Sequence, residues 1–215
     1  MKVLDCSDES IEEACSVLEE GGLVVYPTET AYALGVDALN EQALSDLLAA
    51  KGRPPGIPIL VIISDLDMIR PYALIDEKTQ FLAETFMPGP LTLAVGKKPI
   101  VPDLLNPEGI SFRISSHGVA RALAKALGRP ITGTSANRHG EGLIYDPEGV
   151  IASFDGVVDL FLDAGTLTES PPSTVIDMKP EIPVIIREGA LPSGIIFEAL
   201  ASFRQSSSTG KGVIS

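Results

Sequence analysis

Apolar residues in this chain recur with two alternating periods. At Ile11, Ala14, Cys15 and Leu18 the spacing is helical, with Ser7 or Asp8 placed to cap the start and Gly21-Gly22 to end it. The same period returns at Ala43, Leu44, Leu47 and Leu48 behind Asn40, and at Phe81, Leu82 and Phe86 behind Asp76. It predicts further helices over 119–127, stopped by Gly128 and Pro130, from Asp146-Pro147 to Phe154, and over about 193–203. Short apolar runs between these segments predict strands at 1–4, 23–26, 57–63, 91–95, 110–114, 158–162, 174–176 and 184–187, with a shorter one ending at Ile131. Tyr32 and Leu34-Gly35 are expected to pack back on the core, and 97–107 reads as a long loop. Strands and helices interleave irregularly, with several helix-free links and no internal repeat. The pattern predicts an α/β chain of the α+β type: one domain over 1–204, built on a twisted mixed sheet with flanking helices. The Ser- and Gly-rich segment 205–215 is expected to be a disordered tail.

Polar residues stand out where this pattern breaks. Lys51-Gly52-Arg53 falls between a helical run and an apolar strand. Lys and Arg grip phosphate oxygens, one as a point charge and the other through a planar fork. Lys51 also suits a helix C-terminus through the macrodipole alone, whereas Arg53, just before Pro54-Pro55, lies outside the helix. Some eighty positions on, Ser135-Ala136-Asn137 repeats the spacing in a run of small and polar residues from Thr132 to Gly142. Such a run brings backbone donors close to a ligand or simply forms a surface loop. It is not a P-loop, because GxxxxGK[ST] is absent, and no GxGxxG occurs. Pro27-Thr28-Glu29-Thr30 follows a buried strand directly, which is where α/β folds place ligands and also where ordinary polar turns occur. Arg113 alternates with Phe112 and Ile114, so it points away from them, toward either a ligand or a solvated strand face.

Charge narrows the ligand. Of the 215 residues, 45% are hydrophobic and 21% charged, enough apolar material for a sizeable core, and the net charge is −13. That balance argues against a general nucleic-acid coat. It leaves room for a local basic cleft, which Lys51, Arg53, Arg113 and Arg187 can supply and which an acidic body would focus on small anions. Cys6 and Cys15 form no CxxC or Cys/His cluster, and histidine is limited to His117 and His139, so no metal site is expected. No apolar run reaches the roughly 18 residues of a membrane span and the start lacks a signal-peptide pattern, so no membrane contact and a reducing cytoplasm are expected.

Six motifs occur in one order: Tyr26-Pro-Thr-Glu-Thr-Ala-Tyr-Ala-Leu-Gly35, Lys51-Gly-Arg-Pro54, Pro88-Gly-Pro-Leu-Thr92, Ser135-Ala-Asn137, Ser173-Thr-Val175 and Ile186-Arg-Glu-Gly189. Together they resemble the YrdC/YciO family over about residues 10–200, at the length of its short single-domain members. The resemblance implies a YrdC-like sheet curved around a concave pocket. It also implies a threonylcarbamoyl-AMP synthase, which condenses L-threonine, bicarbonate and ATP to threonylcarbamoyl-AMP and pyrophosphate. Magnesium would be carried by the ATP. The product would serve a downstream complex that modifies an adenosine of tRNA, with at most weak tRNA contact by this chain. By the same resemblance Lys51 and Arg53 would act on the phosphates, Ser135, Asn137 and Arg187 would bind the nucleotide, and Thr30, Arg113 and Ser173 would bind threonine. The usual synthase has Asn and His where this chain has Ile57 and Ile62, and serine where it has Leu143. Tyr32-Ala33-Leu34-Gly35 resembles the YciO-like branch. These departures hold open two alternatives: a paralogue acting on another amino acid or carbamate, or a non-catalytic RNA- or ribosome-binding protein.

Overall fold

The computed structural model describes residues 1–209. In chain order the elements are β1 (Lys2–Leu4), α1 (Asp8–Glu19), β2 (Val24–Pro27), β3 (Tyr32–Gly35), α2 (Glu41–Lys51), β4 (Leu60–Ile62), α3 (Leu66–Ile69), α4 (Glu77–Phe86), β5 (Leu91–Val95), β6 (Ile110–Arg113), α5 (Gly118–Leu127), β7 (Ile131–Thr132), β8 (Thr134–Ser135), α6 (Pro147–Phe154), β9 (Leu160–Leu162), β10 (Thr174–Asp177), β11 (Val184–Arg187) and α7 (Ser193–Thr209).

Local chemistry starts and stops the helices as the sequence predicts. Ser7, Asn40, Asp76 and Asp146 each accept a hydrogen bond from the first turn of α1, α2, α4 and α6, satisfying donors that have no partner inside the helix. Gly52, with φ of 61°, closes α2 in a left-handed conformation that turns the chain sharply between Lys51 and Arg53. The terminal helix α7 runs to Thr209, past the boundary expected at 204; of the expected tail, 210–215 lies outside the described residues.

The strands form two mixed sheets where the sequence suggested one. The first has the order β1-β9-β2-β3-β8 and the second β11-β10-β5-β6-β4-β7. The chain passes between them at Gly133, whose N–H donates to Leu60 O at 2.7 Å. Thr132 fastens the crossing: its N–H donates to Val36 O, and its hydroxyl accepts from Val36 N, both at 3.0 Å. The flanking strands β7 and β8 have two residues each. Two residues are too short for a period-2 signal, so the switch is invisible in the sequence. The expected strand over 57–63 is also shorter, because Pro58 cannot donate to a ladder and its carbonyl is taken by Arg53 Nη2 at 2.8 Å.

Two apolar clusters hold the layers. One gathers Val25, Leu34, Leu44, Leu47, Leu93, Phe112 and Phe161 between the sheets and α2, α4, α6 and α7. The other packs α1 and α5 on the first sheet through Leu18, Val24, Tyr26, Leu123 and Leu162. Tyr26 is fully buried and donates its hydroxyl to Thr132 O at 2.7 Å, tying this cluster to the crossing.

Behind β11 the backbone approaches itself closely. A Cβ on Gly189 would lie 2.2 Å from Pro172 O and 2.5 Å from Ser173 C. Backbone atoms cannot swing aside as side chains do. Gly189→Ala is therefore expected to destabilise the fold by about 1–3 kcal/mol, the usual cost of overpacking, with a lowered urea midpoint as the readout. An unchanged midpoint would show that the two segments slide apart freely.

Candidate active site

A cavity of about 550 Å³ opens over the second sheet and under the β2–β3 turn. Its floor follows from strand register. On one face of β10, β5 and β6, the residues Val175 and Asp177, Thr92 and Ala94, and Ser111 and Arg113 alternate with core residues such as Ile176, Leu93 and Phe112. Thr92 is opposite Val175, and Val175 opposite Arg187. Arg113 continues this row beside Thr92. A second row, two residues along, runs Leu60, Ser111, Ala94, Asp177. The first row carries guanidinium groups at both ends, and the second carries a hydroxyl and a carboxylate.

Arg113 is only 2% exposed, which excludes the solvated strand face. Its Nη1 meets Glu29 Oε1 at 3.2 Å and lies 3.5 Å from Thr30 Oγ1. Glu29 in turn accepts from Ser115 Oγ. Glu29 does not line the cavity; it holds one corner of the guanidinium from behind. Arg113 Nε is buried with no protein partner. The Nε–Nη2 edge, the side of the fork suited to a carboxylate, is thus uncommitted. Thr28 shapes the turn above it: its hydroxyl donates to Ala31 O at 2.6 Å and accepts from Thr30 N at 3.2 Å, leaving Thr30 on the cavity wall.

Arg53 enters from the end of α2. Nη2 is held by Pro58 O, Nη1 reaches Thr134 Oγ1 at 3.4 Å, and Nε is buried without a partner. Arg187 enters from β11; Nε and Nη2 donate to Ser173 O at 3.1 and 2.8 Å, and Nη2 to Ser173 Oγ at 3.1 Å. Ser173 Oγ shares a 2.8 Å hydrogen bond with Thr92 Oγ1. Burial lowers the pKa of all three guanidinium groups, and for Arg113 its Glu29 partner opposes the shift. A guanidinium stays protonated under such shifts. With Lys179, the lining has four cations against the carboxylates of Glu108 and Asp177, inside a chain of net charge −13.

Of the eight residues singled out in the sequence, Thr30, Arg53, Arg113, Ser135, Ser173 and Arg187 line this cavity. Lys51 and Asn137 stand behind the wall. Lys51 is 2% exposed, and its ammonium donates to Ser135 O and to Asn137 O, the latter at 2.6 Å. Lys51 O accepts from His139 N at 2.8 Å. The Lys51 charge therefore orients the 135–139 loop. Burial, and then the Arg53 charge, push its ammonium down to about 8. Asn137 accepts from Ser135 Oγ and donates to Glu141 O at 2.7 Å, closing the same loop from the other side. The spacing shared by the two motifs reflects this docking: the C-terminus of α2 carries both the loop's anchor and, one turn of backbone later, the cavity's Arg53.

Sequence reading missed Thr134, Asn106, Glu108, Ser111, Asp177 and Lys179 as lining residues. Ser111 and Asp177 alternate with core residues, so their period was available; Asn106 lies in a loop with none. Among the described residues no group of three or more His, Cys, Asp or Glu is placed to hold a metal ion, and no helix is long and apolar enough to cross a membrane.

This geometry coincides with a known family. A family model for Sua5, YciO and YrdC proteins, described as telomere recombination, matches residues 16–189. The chain belongs to the Sua5/YciO/YrdC family. A threonylcarbamoyl-AMP synthase of Pyrococcus abyssi is 35% identical over an alignment of 204 positions that covers 91% of this chain and 60% of that protein. The crystal structure of P. abyssi Sua5 complexed with L-threonine superposes with a TM-score of 0.86 at 33% identity, covering 92% of this chain and 59% of that one. The crystal structure of E. coli YciO superposes with a TM-score of 0.78 at 30% identity, covering 87% and 93%. The chain thus spans about 60% of the P. abyssi protein and nearly all of YciO. Of its three apolar departures from the synthase pattern, only Leu143 lines the cavity. Ile62 is fully buried beside Gly133, and Ile57 is half-buried outside the cavity.

Proposed function

We propose that this member of the Sua5/YciO/YrdC family is a threonylcarbamoyl-AMP synthase. The observation that carries the reading is the uncommitted edge of the buried Arg113 in the same cavity as Arg53 and Arg187. One guanidinium takes the carboxylate of threonine, and the other two take the nucleotide phosphates. The P. abyssi relatives named as synthase and solved with L-threonine support it.

The chemistry asks for position more than for covalent help. The threonine amine and bicarbonate form a carbamate with loss of water. A carbamate oxygen attacks the α-phosphorus of ATP, the bond to the β-phosphate oxygen breaks, and pyrophosphate leaves with the electron pair. Both reactants are anions that repel in water, so holding them in line against cations supplies most of the barrier reduction. Thr30 and Ser173 offer hydroxyls at the threonine end, and Ser135 one at the nucleotide end. Magnesium enters this proposal only as the ion that ATP carries, and the product is passed to a tRNA-modifying partner.

ATP-dependent pyrophosphate release is expected to require both threonine and bicarbonate, and to fall at least about a hundredfold in Arg53→Ala, where a charge-assisted phosphate contact is lost. Release that persists without threonine, or none from folded protein, would overturn the reading. An amino-acid panel would then test Leu143 as the mark of a different substrate.

A further inference from the structure

The second row of the cavity floor has no role in the reading above. Ser111 stands in it and Asn106, from the loop before β6, lines the same cavity; each is only 8% exposed. The Asn106 carboxamide oxygen accepts from Glu108 N at 3.0 Å, but its amide NH₂ has no protein partner, and neither does the Ser111 hydroxyl. Neither atom is sealed in the protein interior, so both stay open to the cavity and free to hydrogen-bond a ligand in it. Across the row from Ser111, beyond Ala94, stands Asp177. Asp177 is already balanced: Oδ1 accepts from Lys179 N at 3.0 Å, and Oδ2 lies 3.7 Å from Lys179 Nζ. A carboxylate whose charge is met suits a neutral hydroxyl better than a second cation.

We infer that Asn106, Ser111 and Asp177 form a subsite for the vicinal hydroxyls of a ribose. This rests on the nucleotide reading of the cavity and adds its sugar. Asp177 lies two residues from Val175, which pairs with Arg187. At about 3.4 Å per residue, that separates the two rows by about 7 Å, the span from a 5′-phosphate to the ribose hydroxyls of one nucleotide. With phosphate on Arg187, the diol reaches the second row. There Asp177 accepts a hydroxyl hydrogen, the Asn106 amide donates to a hydroxyl oxygen, and Ser111 does either.

The test is direct binding of ATP, 2′-deoxy-ATP and 3′-deoxy-ATP to the wild-type protein, to Asp177→Asn and to Ser111→Ala, with threonine binding measured separately as a check on folding. Wild-type protein is expected to bind at least one deoxy analogue about tenfold more weakly than ATP, the loss typical of a deleted hydroxyl at a buried polar site. In each variant that ratio should shrink toward one while threonine binding holds. Equal binding of all three nucleotides by wild-type protein, or an unchanged ratio in both variants, would overturn the subsite. Failure of wild-type protein to bind any nucleotide while binding threonine would instead overturn the nucleotide reading, and the subsite with it.

Discussion

Arg113→Ala is expected to lower the affinity for threonine by about 3–4 kcal/mol, several hundredfold, because two charge-assisted hydrogen bonds to its carboxylate vanish together. The same substitution should damage the fold. Glu29, whose side chain is 15% exposed, would keep a carboxylate with its cation removed. Breaking such a pair from one side costs about 3–5 kcal/mol. The two effects separate in a double variant. Arg113→Met with Glu29→Gln removes both charges, so its urea midpoint should recover most of the loss while threonine binding stays absent. Arg113→Lys should sit between, keeping a charge without the fork. Calorimetric titration with threonine and equilibrium unfolding of the four proteins give both numbers. Unimpaired threonine binding in Arg113→Ala would remove this residue from the site.

Lys51→Met should separate orientation from contact. Methionine keeps the length of the side chain and loses both hydrogen bonds to the 135–139 loop. We expect the Michaelis constant for ATP to rise about tenfold or more, as Ser135 loses its fixed position, with direct threonine binding little changed. A second signature is pH. The Lys51 ammonium has a folded value of about 8, below the 10.5 of a free lysine. Between those values the unfolded chain holds more protons, so this group's contribution to stability rises as pH increases from about 8 to 10.5. The difference in unfolding free energy between wild type and Lys51→Met should grow in favour of wild type across that window. A flat difference would mean that Lys51 titrates like an exposed lysine.

The departures from the sequence reading share one cause. Lys51 and Arg53 are chemically similar and two positions apart, so nothing in the chain says that one faces a loop and the other a cavity. Gly52, left-handed at φ 61°, sends them different ways, and only the packing of α2 on the 135–139 loop shows where each arrives. Glu29 reads as one more polar turn residue until Arg113 and Ser115 are found around it. Asn106 has neighbours that mean nothing until β6 and β10 bring Ser111 and Asp177 to the same floor.

Periodicity, caps and turn residues determine the helices and the longer strands, because each depends on residues within a few positions of one another. The six ordered motifs determine the family. Local sequence also marks Thr30, Arg53, Arg113, Ser135, Ser173 and Arg187, since each breaks an apolar pattern or sits in a turn next to one. The division into two sheets, the crossing at Gly133, the two rows of the cavity floor and the place of Lys51 behind the wall were decided by tertiary structure. Each depends on strand pairings between residues far apart in the chain, and such pairings leave no trace in the local pattern of apolar and polar positions.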